Sequence, residues 1–276
     1  MGLAEGTLFI LYVLILALAA ARFLPGKGGR VSRRFRTGQA MTIGDRQVQE
    51  DSYGICQSAD AFLAVLADGM GRHYGGRVSS RTAVDTMKDM FRQYRRSEAP
   101  AYFFRRAFHQ MNRAILEQLD DGRGGASVGA VLVRDGCLYY AVAGNIRIAV
   151  FRGGDLIPVS SGHTIGVLAG DRFVEGRITR EQALKMLDDT RLYNYVGQDG
   201  FREIEFVDTP IRLKDKDIVA LMSDGLYEGL EWRVMEEILS GRKKCQQKAY
   251  DIVEMINADS RKGKDNAGIV LVEVAL

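Results

Sequence analysis

The sequence predicts an α+β fold, and three patterns carry that prediction. Two stretches before residue 120 place apolar side chains at helical spacing. From Ala126 onward, short apolar runs are separated by Asp-Gly and Gly-Gly pairs, which is typical of antiparallel strands joined by tight turns. Two unbroken apolar runs, at 62–67 and 218–222, lead into Asp-Gly and Ser-Asp-Gly and indicate strands buried on both faces. With 276 residues, the chain has room for one large domain or two small ones.

The N-terminal segment from Gly6 to Leu24 is apolar and carries one charge, Arg22, near its end. Its length is about that of a bilayer-spanning helix if Arg22 snorkels to the interface. A signal peptide and a buried helix are the alternatives, but a signal peptide carries positive charge before its apolar run, and here only Glu5 precedes it. We therefore predict a single-pass membrane anchor at residues 1–24. Because the basic residues follow it, the positive-inside rule predicts a cytoplasmic location for the rest of the chain.

The positive charge of the chain is concentrated after that segment. Six basic residues and no acidic residue lie between Arg22 and Gly44, whereas the whole chain has a formal net charge of only +3. The remainder is therefore slightly acidic, which argues against a nucleic-acid-binding face. We predict a basic linker at residues 25–36 and a folded domain at residues 37–276. Three widely spaced cysteines form no disulfide framework and suit a reducing compartment.

Acidic residues stand near the first predicted strands. Glu50 and Asp51 are adjacent, and on a strand their side chains would point to opposite faces, so only one could line a given site directly. Asp68 ends the apolar run 62–67, and Gly69 after it permits close approach of the backbone to a ligand. A hairpin turn is the alternative reading of this Asp-Gly pair.

The middle of the chain predicts two helices and then strands. One apolar stripe recurs between 83 and 94, and a second helix begins near Pro100, a good first-turn residue. From Ala126, runs that turn at Asp135-Gly136 and at Gly153-Gly154 predict an antiparallel meander.

The segment 162–200 has little regular patterning apart from a short helix near Thr179 to Leu187. Its length is typical of a lid or flap over a site. Regular elements are predicted again after it: strands at 203–207 and 217–223, helices at 232–239 and 245–259, and a last strand at 267–274.

Five carboxylates are candidate metal ligands, and four of them lie near predicted strand ends. With only three histidines and scattered thiols, a zinc site is poorly supported, whereas hard oxygen ligands suit Mg²⁺ or Mn²⁺. Several carboxylates can converge only if metal ions neutralise them. The candidates are Glu50, Asp51, Asp68, Asp224 and Asp265.

Six short motifs follow one another along the chain with fitting intervals. They are RQVQED at 46–51, DGMGRH at 68–73, the stretches 75–80 and 125–131, SDGL at 223–226, and Asp265-Asn266. In this order they resemble the metal-dependent protein serine/threonine phosphatases of type 2C (the PPM family) in their bacterial form. The resemblance covers about residue 37 to the C-terminus, and the insertion at 163–197, with ITREQAL inside it, resembles the flap of that family.

The resemblance implies a four-layer αββα sandwich of two antiparallel sheets flanked by helices, with metal ions in the channel between the sheet edges. It assigns Asp68, Asp224 and Asp265 to one Mg²⁺ or Mn²⁺ ion. Glu50, Asp68 and the carbonyl of Gly69 would hold a second ion.

The resemblance also implies a mechanism. Asp51 would act on the metal through water, and Arg46 would grip the substrate phosphate with its guanidinium fork. A metal-bridging hydroxide would attack phosphorus in line, without a phospho-enzyme. The general acid stays open: His73 is a candidate, and a structural or solvent-exposed role is the alternative.

The chain departs from the family pattern at several positions. Where the family has Gly-Asp-Ser-Arg, this sequence has Asn145 in place of the acidic residue, so a third metal site is doubtful. Arg72 replaces the second glycine of the metal turn. Gly162-His163-Thr164 stands where the family has Asp-His-Ser. Ala267-Gly268 stands where the family's Asp-Asn-Ile-Thr motif has Ile-Thr.

The sequence and the resemblance together predict a membrane-anchored, Mg²⁺- or Mn²⁺-dependent phosphatase with its catalytic domain in the cytoplasm. Its expected partners are phosphorylated cytoplasmic proteins, the substrates of a serine/threonine kinase. A pseudophosphatase or weakly active phosphoprotein-binding module is the alternative, and a structural membrane-linked protein is a third reading.

Overall fold

In the computed structural model, the structure describes residues 34–119, 124–207 and 209–275. The predicted membrane anchor at 1–24 and the predicted linker up to residue 33 lie outside the described residues. Within the described ranges, none of the helices combines the length and the hydropathy that a membrane span requires.

Two antiparallel sheets form the centre of the fold. The six-stranded sheet follows the order β2-β3-β4-β5-β8, with β9 also pairing β5, and the five-stranded sheet follows the order β1-β11-β10-β6-β7. The strands of the first sheet are β2 (Asp51–Gln57), β3 (Ala61–Gly71), β4 (Gly124–Arg134), β5 (Cys137–Ala143), β8 (Glu205–Phe206) and β9 (Ile211–Arg212). Those of the second are β1 (Arg34–Thr42), β6 (Arg147–Arg152), β7 (Asp155–Pro158), β10 (Ile218–Met222) and β11 (Ala267–Ala275).

Helices cover the outer face of each sheet. Those packed on the six-stranded sheet are α1 (Gly75–Arg92) and α2 (Pro100–Gln118). Those packed on the five-stranded sheet are α5 (Asp224–Tyr227), α6 (Trp232–Ser240) and α7 (Cys245–Ala258). The segment between β7 and β8 contains α3 (Ile165–Val174) and α4 (Arg180–Met186).

The alternation of side chains along β3 shows why its sequence is apolar without interruption. Leu63 and Val65 pack against the helices, whereas Phe62 and Leu66 pack in the layer between the two sheets. Each fully buried side chain of this size stabilises the fold by about 1.5–3 kcal/mol. Both faces of the strand are therefore buried, as predicted, and the αββα sandwich is confirmed.

Several predicted elements are confirmed with small shifts of their ends. The helix beginning at Pro100 is α2, and the short helix near Thr179 is α4. Thr179 caps α4 in a reciprocal box with Gln182, in which each side chain accepts a backbone N–H of the other residue. The helices at 232–239 and 245–259 and the last strand also form.

The predicted end of the central strand at Asp68 is wrong. Strand β3 continues to Gly71, and its last residues pair with Gly124 and Gly125 of β4. Glycines on both strands allow the close approach that keeps the ladder intact, so Asp68-Gly69 is neither a strand end nor a hairpin turn. Asp68 therefore lies within the ladder, where both neighbouring strands fix its position.

The predicted meander is also wrong as a single sheet. The two hairpins form, but β4-β5 belongs to the six-stranded sheet and β6-β7 to the five-stranded one. The chain crosses between the sheets at Gly144, which has a φ of +98° and is so close to Ser127 that a Cβ would overlap its hydroxyl. A left-handed glycine permits this sharp crossing.

Some elements were not predicted. Helix α3 lies in the segment expected to be irregular, and the short α5 and β9 had no expected counterpart. Strand β1 pairs with β11 from Arg34 onward, so the last three residues assigned to the basic linker belong to the five-stranded sheet.

Candidate active site

Two aspartates face each other across neighbouring strands of the six-stranded sheet. Asp51 on β2 is in register with Asp68 on β3. Burial, together with the fields of Asp51 and Asp224, raises the pKa of the Asp68 carboxyl well above its usual range. Burial raises the pKa of Asp51 to about 7, although a hydrogen bond from Ser223 opposes the shift. Like charges directly opposite each other destabilise a sheet, so this pair requires compensation by a cation or a proton.

The five-stranded sheet contributes two more carboxylates to the same place. Asp224 begins α5 directly after β10, and Asp265 precedes β11. Both raise the pKa of Asp68 by their charge, and Asp224 is also within hydrogen-bonding reach of it. The structure therefore brings together Asp51, Asp68, Asp224 and Asp265.

The side chain of Glu50 packs against the N-terminal end of helix α1, whose N-cap residue makes no side-chain capping hydrogen bond. Burial raises the pKa of the Glu50 carboxyl, and the backbone amide of Arg77 in the first helical turn opposes that shift. The backbone N–H of Glu50 donates to Asn266 Oδ1 at 2.7 Å, and the carbonyl of Glu50 accepts from Gly69 N at 3.2 Å. Glu50 is thus fixed between β3, α1 and the segment before β11.

Two glycines let these segments approach each other. A Cβ at Gly69 would overlap the carbonyl of Gly76, and a Cβ at Gly76 would overlap Glu50 Oε1. The predicted importance of Gly69 therefore has a steric reason: any side chain there would push helix α1 away from strand β3.

Ser223 and Asn266 hold the carboxylates in place. Ser223 Oγ donates to Asp51 Oδ2 at 2.8 Å and accepts from Gly268 N at 2.8 Å. Asn266 Nδ2 donates to the carbonyl of Ile43 at 2.9 Å, in addition to its contact with Glu50. Sequence reasoning included both residues in motifs but gave them no role. The sequence feature that could have identified them is their position directly beside a candidate aspartate, in Ser223-Asp224 and Asp265-Asn266.

Arg46 is ion-paired with Asp265, with 2.6 Å between Nη2 and Oδ2, and both side chains are about half exposed. Exposed ion pairs of this kind contribute about 0–1 kcal/mol. The guanidinium therefore lies at the mouth of the site, in a contact weak enough to be exchanged for another anion.

Asn145, where the sequence departs from the pattern that it resembles, lies beside the carboxylates. Its Nδ2 donates to Asp224 Oδ2 at 2.9 Å, and its Oδ1 accepts from Ser127 Oγ at 2.7 Å. The amide oxygen thus faces Ser127 rather than the carboxylate cluster.

His73, the candidate general acid, is an exposed residue with a φ of +56° in the turn before α1.

The donor set fits a hard divalent cation. All five candidate ligands supply carboxylate oxygens, and Glu50 Oε1 and Asp51 Oδ1 are buried with no hydrogen-bond partner. Across the ranges that the structure describes, however, no three or more His, Cys, Asp or Glu side chains already form a ready-made ligand group. Instead, one oxygen of Asp265 accepts a hydrogen bond from Arg46, and one oxygen of Asp224 accepts a hydrogen bond from Asn145.

Comparison with known proteins finds one family along most of the chain. The family model described as Protein phosphatase 2C matches residues 39–257. The serine/threonine phosphatase stp of Listeria monocytogenes is 26% identical over an alignment of 236 residues, and the match covers 83% of this chain and 91% of that protein.

Two solved structures share the fold. The serine/threonine phosphatase of S. agalactiae has a TM-score of 0.73 at 23% identity, covering 87% of this chain and 99% of that one. The catalytic domain of the phosphatase PstP, solved in complex with two manganese ions, has a TM-score of 0.70 at 23% identity, covering 89% and 100%. The resemblance noted in the sequence is confirmed.

Proposed function

Because the chain belongs to the protein phosphatase 2C family, we propose that it is a metal-dependent phosphatase acting on phosphoserine and phosphothreonine in cytoplasmic proteins. One observation carries the proposal: four aspartates from two sheets converge at one site, where burial and mutual charge raise the pKa of Asp51 and Asp68. Such a cluster is stable in its ionised form only with cations bound.

The candidate ligands divide into two groups. Asp68, Asp224 and Asp265 would hold one Mg²⁺ or Mn²⁺ ion, and Glu50, Asp68 and the Gly69 carbonyl a second, with Asp51 acting through water. Bound ions would neutralise the carboxylates and activate water for in-line attack on phosphorus.

Arg46 would bind and orient the substrate phosphate. Its weak, exposed pairing with Asp265 can be exchanged for a phosphate, which accepts two parallel N–H donors from a guanidinium. Ser223 would keep Asp51 in the orientation that leaves Oδ1 free of protein partners.

The location belongs to the same proposal. The apolar segment at 6–24 and the basic residues that follow it support a single-pass anchor with the catalytic domain in the cytoplasm. Protease added to intact cells should then leave the domain uncut, and cleavage of the domain from outside would contradict this topology.

A pseudophosphatase, which would bind phosphoproteins with little turnover, is the second candidate. Asn145 favours it, because the amide adds no charge to the cluster and hard-cation affinity depends on the number of charged ligands. The five retained carboxylates favour the enzyme.

Turnover by the purified full-length protein discriminates between the two functions. We expect hydrolysis of a phosphothreonine peptide and of an aryl phosphate with Mn²⁺ and none with EDTA. Asp68→Asn and Asp224→Asn should abolish turnover and weaken Mn²⁺ binding in calorimetry. Asp155→Asn, at an exposed aspartate of β7, is the matched control. Binding of Mn²⁺ and phosphopeptide without turnover would favour the pseudophosphatase.

A further inference from the structure

A groove of about 790 Å³ lies beside the carboxylate centre, along helix α1. Asp51 belongs to both the groove and the centre. The groove wall includes three exposed large side chains, Ile43, Tyr53 and Tyr74, of which Tyr74 is 65% exposed. Large apolar and aromatic side chains that remain exposed next to a reaction centre are typical of a binding surface.

Basic side chains of α1 line the same groove. Arg77, Arg81 and Lys88 follow one another at intervals of four and seven residues and so share one face of the helix. Lys88 is paired with Asp85, which also lines the groove, with 3.5 Å between Nζ and Oδ1. Among the residues that the structure describes, the guanidinium groups of Arg77 and Arg81 have no hydrogen-bond or ion-pair partner. They are therefore free to bind carboxylates.

We propose that this surface, the α1 groove, binds the polypeptide next to the phosphorylated residue and selects substrates with acidic side chains on one side of it. The α1 groove is defined by Ile43, Tyr53, Tyr74, Arg77 and Arg81. This inference rests on the phosphatase function proposed above. Charge complementarity with Arg77 and Arg81 favours an acidic occupant over the chain's own N-terminal region, which is itself basic.

The geometry sets the expected spacing between two acidic side chains of a bound substrate. The backbone amide of Arg77 acts on the Glu50 carboxyl, so Arg77 marks the end of the groove nearest the carboxylate centre. Arg81 lies one helical turn further, about 6 Å along the helix axis. An extended peptide advances about 3.3 Å per residue, so Arg81 is about two residues further along a bound substrate than Arg77.

The test uses full-length protein and four phosphothreonine peptides. In the first peptide, two glutamates stand at the second and fourth positions before the phosphothreonine, and in the second peptide at the second and fourth positions after it. The third peptide carries them on both sides, and the fourth has alanine at all of these positions. We expect the parent to favour one single-sided acidic peptide over the alanine peptide by about three- to tenfold in kcat/KM, the range of a few exposed ion pairs. Arg81→Glu should remove or reverse that preference. A ratio of two kcat/KM values cancels any general loss of activity.

Arg242→Glu makes the same charge change at an exposed arginine between α6 and α7, on the opposite helix layer, and should keep the preference of the parent. An equal acidic preference in the parent and in Arg81→Glu would overturn the groove assignment, as would a parent without preference. Fluorescence anisotropy in an Asp68→Asn background measures the ratio of Kd values without turnover. If the parent hydrolyses no peptide, the phosphatase function fails, and the Kd ratio still decides the groove.

Discussion

The side-chain amide of Asn145 donates to Asp224 Oδ2 at 2.9 Å, and so ties the crossing between the two sheets to a candidate metal ligand. The contact satisfies one oxygen of Asp224 with a neutral donor. It also orients the amide oxygen toward Ser127, away from the carboxylates. Asn145 therefore stabilises the cluster without adding to its charge.

We expect Asn145→Asp to destabilise the metal-free protein and to strengthen its response to Mn²⁺. The change replaces a donor to Asp224 by a like charge, which should lower the free energy of unfolding by about 1–3 kcal/mol in EDTA. With Mn²⁺, the additional carboxylate should raise turnover or lower the metal concentration that turnover requires. Denaturation in EDTA and Mn²⁺ titration of activity check both effects.

Asn112→Asp is the control, because within the described part of the chain the side chain of Asn112 makes one hydrogen bond, accepted by its Oδ1 from Gly197 N. If Asn145→Asp titrates with Mn²⁺ and turns over like the parent, position 145 does not limit metal use. Asn145 would then be no reason to expect that a third ion is missing.

The steric fit between Gly76 and Glu50 predicts a large effect of a single methyl group. A Cβ at Gly76 would overlap Glu50 Oε1, so Gly76→Ala must displace either the carboxylate or the start of α1. We expect a loss of about 1–3 kcal/mol in the free energy of unfolding and weaker Mn²⁺ binding in calorimetry.

Gly170→Ala tests the same substitution in an open position. Nothing lies within 4 Å of a Cβ at Gly170, which is inside helix α3. Alanine there should stabilise the protein by about 0.5–1 kcal/mol, because glycine loses more backbone entropy in a helix. Equal effects of the two substitutions would show that Gly76 is not tightly packed.

Ser223→Ala is expected to disturb the site without removing any carboxylate. It leaves Asp51 Oδ2 without its donor and Gly268 N without its acceptor, and both groups are buried. The loss in unfolding free energy should be about 1–3 kcal/mol, with weaker Mn²⁺ binding because Asp51 is no longer oriented. Ser161→Ala, at an exposed serine whose Oγ has no hydrogen bond within the described ranges, should behave like the parent.

The elements that the sequence predicted well are those in which one local signal dominates. The unbroken run at 62–67 indicated burial on both faces, and both faces of β3 are buried. The same reasoning misplaced the end of that strand, because aspartate and glycine are poor strand residues and only the pairing with β4 keeps them in the ladder. Local preference was overridden by a partner strand more than fifty residues away.

The candidate site was likewise predictable only in part. The placement of Asp68 and Asp224 beside apolar runs pointed to carboxylates held by rigid strands, and the structure brings them together. The contacts that orient the cluster could not be predicted from a local pattern. Ser223 and Asp51, for example, are 172 positions apart in the sequence. Such hydrogen bonds depend on how the two sheets pack, not on the residues beside either partner.

His163 predicts a stability loss in mild acid. The side chain is buried next to the crossing between the sheets, and its Nδ1 accepts from Gly144 N at 3.2 Å. Burial lowers the pKa of His163 below its usual value of 6.5, although Glu205 and Glu203 partly oppose the shift. The folded protein therefore keeps a neutral ring at pH values where the unfolded chain already binds a proton.

The direction of the pH dependence of stability follows from that difference in the pKa of His163. Above about pH 6.5, His163 is neutral in both states and adds no pH dependence. As the pH falls below that value, the unfolded state takes up a proton that the folded state excludes, so stability falls by at most about 1.4 kcal/mol per pH unit until the folded-state pKa is passed. His163→Asn keeps an acceptor for Gly144 N and removes the titration, so its loss of stability between pH 7 and 5 should be smaller than that of the parent. His109→Asn, at an exposed histidine, should follow the parent. Denaturant unfolding at pH 5, 6, 7 and 8 measures the three profiles, and parallel curves for the parent and His163→Asn would show that this histidine does not couple folding to pH.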